Sequence, residues 1–185
     1  MKFIKIIVSI LIISSTISIK AQSNEKPEFL LKQGGKLIFI RHANAPGTGD
    51  PDNFNIKDCL TQRNLSDYGI EQSKKLGIFF SSNKIEIGSV LSSEWCRCKD
   101  TSFYAFKNFK SKTFLNSFYS EEHRKNKIKQ INDLKEYIET WDGEKNLILV
   151  THFVVISEIL NISSSPAQII ITNKKFEILG KISIE

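Results

Sequence analysis

Two continuous apolar runs, each closed by a histidine, constrain this chain more than any other feature. Lys36–Arg41 reads KLIFIR and is followed by His42; Asn146–Thr151 reads NLILVT and is followed by His152. Runs without polar alternation mark strands covered on both faces, the habit of parallel sheets flanked by helices. Helix-like segments alternate with them. Ser66 can cap a helix to about Ser81, in which Gly69, Ser73, Leu76 and Phe80 share one face. Ile85–Leu91 reads as a strand and Glu94–Phe109 as a helix with Trp95, Phe103 and Phe106 as apolar members. Thr113–Leu115 is a short strand candidate. Lys125–Trp141 places Ile128, Ile131, Leu134 and Ile138 at steps of three and four, an amphipathic helix. A short helix to about Leu160 follows the second histidine. Ala167–Thr172 and Lys175–Ile184 form a hairpin around Asn173–Lys174. The expected architecture is an α/β three-layer sandwich, with a mostly parallel central sheet and helices on both faces. Such sheets bind ligands beyond the carboxyl ends of their strands.

The 185 residues suit one domain. Met1 to about Ala21 reads as a secretory signal: Lys2 and Lys5 start it, Ile6–Ile19 is apolar, and Ala21 offers a small residue for cleavage. That apolar stretch is shorter than the ~20 residues a membrane anchor needs, so no stable membrane insertion is expected after cleavage. Residues 22–35 are expected as a lead-in and 36–185 as the domain, exported to the periplasm or beyond. The formal charge is +6, and removal of Lys2, Lys5 and Lys20 leaves +3, too little to argue for nucleic acid. Functional positive charge must therefore be local. Export permits a disulfide. Cys59 bridged to Cys96 or to Cys98, and three small buried hydrophobes, are both open.

Both histidines leave the carboxyl end of a buried strand, the edge where such a sheet builds its site. Arg41 precedes the first of them, and Arg97 lies near the helix start after Leu91-Ser92-Ser93, within reach of the same edge. Two guanidiniums and two imidazoles make a pocket for a phosphoryl group, because arginine offers planar paired donors and a charge that does not titrate away. The sequence has no GxxxxGK[ST], no HExxH, no zinc-spaced Cys/His cluster and no GxSxG. Position six after Cys59 is Leu65 and after Cys96 is Ser102, so the Cys-x5-Arg loop is missing too. Histidine remains as the nucleophile, with no metal and no cofactor expected.

Arg41-His42, Leu91-Ser92-Ser93 leading to Arg97 and Thr101, and Val150-Thr151-His152 together resemble the histidine phosphatase (phosphoglycerate mutase-like) superfamily over about residues 36–171. The stretch RHANAPGTGDP…DCLTQRNLSDYG…SSEWCRCKDT is similar to small exported bacterial members, including lipopolysaccharide-core heptose phosphate phosphatases. The resemblance implies a phosphoglycerate mutase-like fold and a metal-independent phosphomonoesterase with a phosphohistidine intermediate. Its substrate would be a phosphorylated small molecule or glycan. His42 would be the nucleophile, and Arg41, Arg97 and a protonated His152 would hold the phosphate oxygens. Two departures stand out: Ala43 replaces the glycine usual after the first histidine, and Phe153 replaces the Asp of the phytase and acid-phosphatase branch.

A leaving group needs a proton donor. In the mutase-like branch a glutamate some two dozen residues after the second arginine serves; Glu121 and Glu122 lie 24 and 25 after Arg97, and Glu121 is the first choice. Asp50 and Asp58 in the Ala43–Arg63 loop are rivals. That loop is expected to cover the pocket, with Lys57, Arg63 and Lys99 as further anion-binding candidates, and His123 reads as surface. A non-catalytic phosphate- or phosphosugar-binding module of the same fold is the alternative.

Overall fold

The structure, a computed structural model, describes residues 25–185; the signal segment and cleavage site read at 1–21 lie outside the described residues. Six strands form one mixed sheet: β1 (Leu37–Arg41), β2 (Ile87–Ser92), β3 (Lys110–Ser111), β4 (Asn146–Thr151), β5 (Ile169–Thr172) and β6 (Ile178–Ile182). The order across the sheet is β3-β2-β4-β1-β5-β6. The β3-β2-β4-β1 half is parallel, and β5 and β6 extend it antiparallel.

Period-two alternation in buried strands sends neighbouring side chains to opposite faces. Leu37 and Phe39 of β1, with Leu147 and Leu149 of β4, enter one core; Ile38, Ile40, Ile148 and Val150 enter the other. The first core is covered by α5 (Lys127–Thr140) through Ile131, Leu134 and Ile138, and by α6 (Phe153–Leu160) through Val155, Ile156 and Leu160. The second is covered by α2 (Asp67–Ser82) through Leu76 and Phe80, and by α3 (Cys96–Phe106) through Cys98. The strands need no polar face because helices cover both sides, which is why they read as unbroken apolar runs.

Several local expectations change. The lead-in carries a helix, α1 (Pro27–Lys32), whose Leu31 is fully buried in the second core and whose Leu31 carbonyl accepts from Asn146 Nδ2 at 2.7 Å. Thr113–Leu115 is a 3₁₀ turn, and the neighbouring Lys110–Ser111 supplies the strand. Ile128 is 75% exposed: it sits in the first turn of α5, before that helix meets the sheet, so the apolar stripe starts at Ile131. Phe103 is half exposed, with Lys107 Nζ over its ring. Among the described residues no helix is long and apolar enough to cross a membrane.

Register aligns the strand ends. Arg41 pairs with Thr151, and Ser92 with Val150. The next backbone groups continue the ladder, His42 N to Thr151 O and Ser93 N to Val150 O, both at 2.9 Å. His42 and His152 therefore leave adjacent parallel strands at one level, and Ser93 leaves the third strand one residue short of it.

Candidate active site

The two imidazoles meet there. His42 and His152 are each 2% exposed, and their ring centroids are 5.4 Å apart at 66°. His42 Nδ1 is 2.8 Å from the carbonyl of Ala43. A carbonyl only accepts, so Nδ1 carries the proton and Nε2 presents a lone pair. Ala43 is buried, donates its N–H to Thr101 Oγ1 at 3.0 Å, and is not among the positive-φ residues. The turn after the nucleophile candidate thus needs no glycine in this chain.

Arg97, in the first turn of α3, is 3% exposed and brings its guanidinium to the same place. Arg41 is half-buried, donates Nη1 to Ser164 O at 2.7 Å and lies over the Phe153 ring. The Nε atoms of Arg41 and Arg97 are buried donors with no acceptor among the described residues. Both suit a ligand rich in oxygen.

The loop after β1 forms the wall opposite the strand ends. It is sewn down at several points. A disulfide joins Cys59 to Cys96, the first residue of α3, leaving Cys98 as the buried free thiol. Gln62 Oε1 accepts from Cys96 N at 2.9 Å. Arg63 donates Nε to Gly49 O at 2.7 Å and Nη1 to Ala45 O. Asp50 faces the cleft from this wall and takes Arg97 in a two-pronged ion pair, 2.7 Å to Nη1 and 3.2 Å to Nη2. Its oxygens also accept from Arg63 N at 3.1 Å and from Trp95 Nε1 at 3.0 Å.

The result is a cleft of about 520 Å³ whose lining includes Arg41, His42, Asp50, Arg63, Arg97 and His152. Its lining carries the guanidiniums of Arg41, Arg63 and Arg97; of its carboxylates Asp50 is paired with Arg97, while Asp52 and Glu122 are exposed. Burial, and after it the charge of Arg97, lowers the proton affinity of Arg41 and of Arg63. Burial first, then Arg97, also holds both His42 and His152 well below the ordinary histidine value. His152 is accordingly a neutral N–H donor here rather than the imidazolium expected from the sequence. The Asp50 carboxyl lies below its usual range, because the Arg97 hydrogen bond and charge outweigh the upward push of burial.

The structure brings Arg41, His42, Arg97 and His152 together and places Glu121 elsewhere. Glu121 is exposed in the four-residue helix α4 (Glu121–Arg124) and does not line the cleft, whereas its neighbour Glu122 does, from the rim. Asp58 caps a 3₁₀ turn by accepting from Leu60 N, outside the cleft lining. His123 is not simple surface: it is partly buried, lines the cleft, and packs edge-on against Phe54 and Trp95. Lys57 and Lys99 stay outside the lining, while Arg63 belongs to it. A larger groove of about 640 Å³ between α2, α3 and β2 is walled by Phe80, Val90, Ala105 and Phe106 and holds none of these groups. Among the described residues no group of three or more His, Cys, Asp or Glu is placed to hold a metal ion.

No family model and no curated protein matches this sequence. Solved structures do match its fold. The protein histidine phosphatase SixA complexed with tungstate superposes with a TM-score of 0.59 at 14% identity, over 80% of this chain and 96% of that one. An Agrobacterium tumefaciens protein provisionally assigned as the phosphohistidine phosphatase SixA gives 0.56 at 12% identity, over 80% and 97%. An Escherichia coli protein provisionally assigned as an alpha-ribazole-5'-P phosphatase gives 0.58 at 14% identity, over 77% and 93%. The fold is that of the phosphoglycerate mutase-like histidine phosphatases, a mixed sheet flanked by helices.

Proposed function

We propose that this chain is a metal-independent phosphomonoesterase acting through a phosphohistidine on His42. The observation that carries this reading is the lone pair of a buried, neutral His42 Nε2 in a cleft that the guanidiniums of Arg41, Arg63 and Arg97 also line. Nε2 attacks phosphorus in line with the leaving oxygen, and Arg41 and Arg97 donate to the equatorial oxygens. Fixed donors aimed at developing charge supply ~3–4 kcal/mol each in comparable sites. Water then cleaves the phosphohistidine, so one difficult displacement becomes two easier ones. The guanidiniums supply the charge stabilisation, so no step calls for a metal.

The substrate class proposed is a small or glycan-linked phosphate ester. Support comes from the sequence likeness to lipopolysaccharide-core heptose phosphate phosphatases and from the signal-like first 21 residues, which together suggest an exported enzyme. The experiment is turnover of p-nitrophenyl phosphate by purified protein, with and without EDTA, against His42→Ala. EDTA-resistant turnover lost in the variant is the expected result. Phosphate binding without turnover would instead favour the non-catalytic module, a reading to which the Asp50–Arg97 pair lends some weight because it already satisfies the principal anion-binding fork.

A further inference from the structure

We infer that Asp50 is the proton carrier of this cleft: a phosphoryl group takes over the fork of Arg97, and the released carboxyl then serves the leaving oxygen. The inference rests on the phosphatase reading above. Asp50 is the carboxylate that shares a guanidinium with the phosphate pocket, at 2.7 and 3.2 Å from Arg97 Nη1 and Nη2. Glu121 lies outside the lining, Asp52 and Glu122 line it but are exposed, and Asp58 is engaged in a cap away from the cleft.

A phosphoryl dianion and Asp50 compete for the same donors, and they repel each other. Once displaced from Arg97, the carboxylate keeps two neutral donors, Arg63 N and Trp95 Nε1. It then sits beside a dianion without its cation, and a like charge disfavours the ionised form. Asp50 takes a proton from solvent. As the bond from His42 Nε2 to phosphorus forms and the ester P–O bond breaks, that proton passes to the leaving oxygen. Asp50, again a carboxylate, accepts a proton from the water that attacks phosphorus. The N–P bond breaks and inorganic phosphate leaves. Ester and water give alcohol and phosphate, and no other reactant enters.

The position of Asp50 is fixed by cross-links rather than by a helix or strand. The Cys59–Cys96 disulfide and the Gln62 bond to Cys96 N tie its loop to the same helix end that carries Arg97. Carrier and phosphate clamp therefore share one anchor.

The test compares wild type, Asp50→Asn and Asp50→Glu on two esters. p-Nitrophenyl phosphate has a leaving group that needs little protonation; glycerol 2-phosphate has one that needs it fully. For Asp50→Asn the expected result is a kcat loss of roughly 10²–10⁴-fold on glycerol 2-phosphate and a small loss on p-nitrophenyl phosphate. Asp50→Glu recovers part of the loss. Inorganic phosphate inhibits Asp50→Asn as well as or better than wild type, since its competitor is gone. Equal losses on both esters, or weaker phosphate inhibition, would make Asp50 a structural partner of Arg97 and overturn the inference. So would a gain on both esters, the mark of a carboxylate that only blocks the site. A wild type that binds phosphate but turns over neither ester overturns the phosphatase reading itself, and the two failures are thereby told apart.

Discussion

His152 Nε2 lies 2.9 Å from Ser93 Oγ, and the network behind that contact decides which nitrogen carries the proton. Asn116 Oδ1 accepts from Glu94 N at 2.8 Å, and its Nδ2 donates to Glu94 Oε2 at 2.7 Å, which settles its orientation. Ser93 Oγ is 3.0 Å from that Oδ1, so its one proton goes there. His152 must then donate Nε2–H to Ser93.

Ser93→Ala removes the oxygen acceptor and leaves the buried N–H only the Cys98 sulfur at 3.5 Å, a weak acceptor. The expected cost is about 1–3 kcal/mol of stability in urea unfolding. Nitrogen NMR of wild type is expected to show the His152 Nε2–H tautomer, and the variant to lose that preference. Asn116→Ala acts on the same chain, so the double variant should cost less than the two singles added. Strict additivity would mean that the three groups do not form one network.

Acid sensitivity follows from the two rings. Burial, then Arg97, lowers both His42 and His152 well below 6.5. A folded value below the unfolded one means that the unfolded chain binds more protons as pH falls through about 6.5. Stability is therefore full above that point and is lost below it, at most about 1.4 kcal/mol per pH unit for each ring. Thermal unfolding between pH 8 and 5 measures this, and His42→Gln should reduce the slope. A flat profile across this window would show that the rings are not held neutral by burial.

The histidines and the strands they follow were legible because β1 and β4 are covered on both faces, which leaves an unbroken apolar signature. α2 was legible from Ser66, whose Oγ does accept from Gly69 N at 3.1 Å. Asp50 was visible only as one carboxylate among several. Its partner lies 47 residues away, and the pairing depends on cross-links that local pattern does not encode. His123 was hidden for the same reason: among Glu121, Glu122, Arg124 and Lys125 it looks solvated, and the aromatics that receive it, Phe54 and Trp95, come from distant segments. α1 was missed because its buried pair, Leu30 and Leu31, occupies a helix too short to show a period.

The disulfide is expected to matter for stability and for the loop. Cys59 and Cys96 are 37 residues apart, and closing a loop of that size in the unfolded chain is worth about 4 kcal/mol on the chain-entropy account. Cys59→Ser, at an exposed position, should lower the unfolding free energy by about 2–4 kcal/mol. Burial pushes the remaining thiol, Cys98, up to about 12, so the native unreduced protein should resist iodoacetamide at pH 8. Unfolded without reductant, it should take up one equivalent. Two equivalents would mean that the bridge is not formed.

Two glycines on α2 separate packing from function. A Cβ on Gly69 would stand 2.1 Å from Asn44 O, two residues past His42, with Asn44 C and N at 3.0 and 3.1 Å. A Cβ on Gly77 would stand 2.3 Å from Ala105 O on α3, away from the cleft. Neither obstacle is a flexible side chain; relief requires backbone movement. Both alanine variants are therefore expected to lose about 1–3 kcal/mol from overpacking. They should differ in kinetics. Gly69→Ala pushes on the segment that orients His42 through the Ala43 carbonyl, so its kcat on p-nitrophenyl phosphate should fall below that of Gly77→Ala at equal folded fraction. Equal kcat values would show that the close approach of α2 to Asn44 serves packing alone and that His42 is positioned from the sheet side.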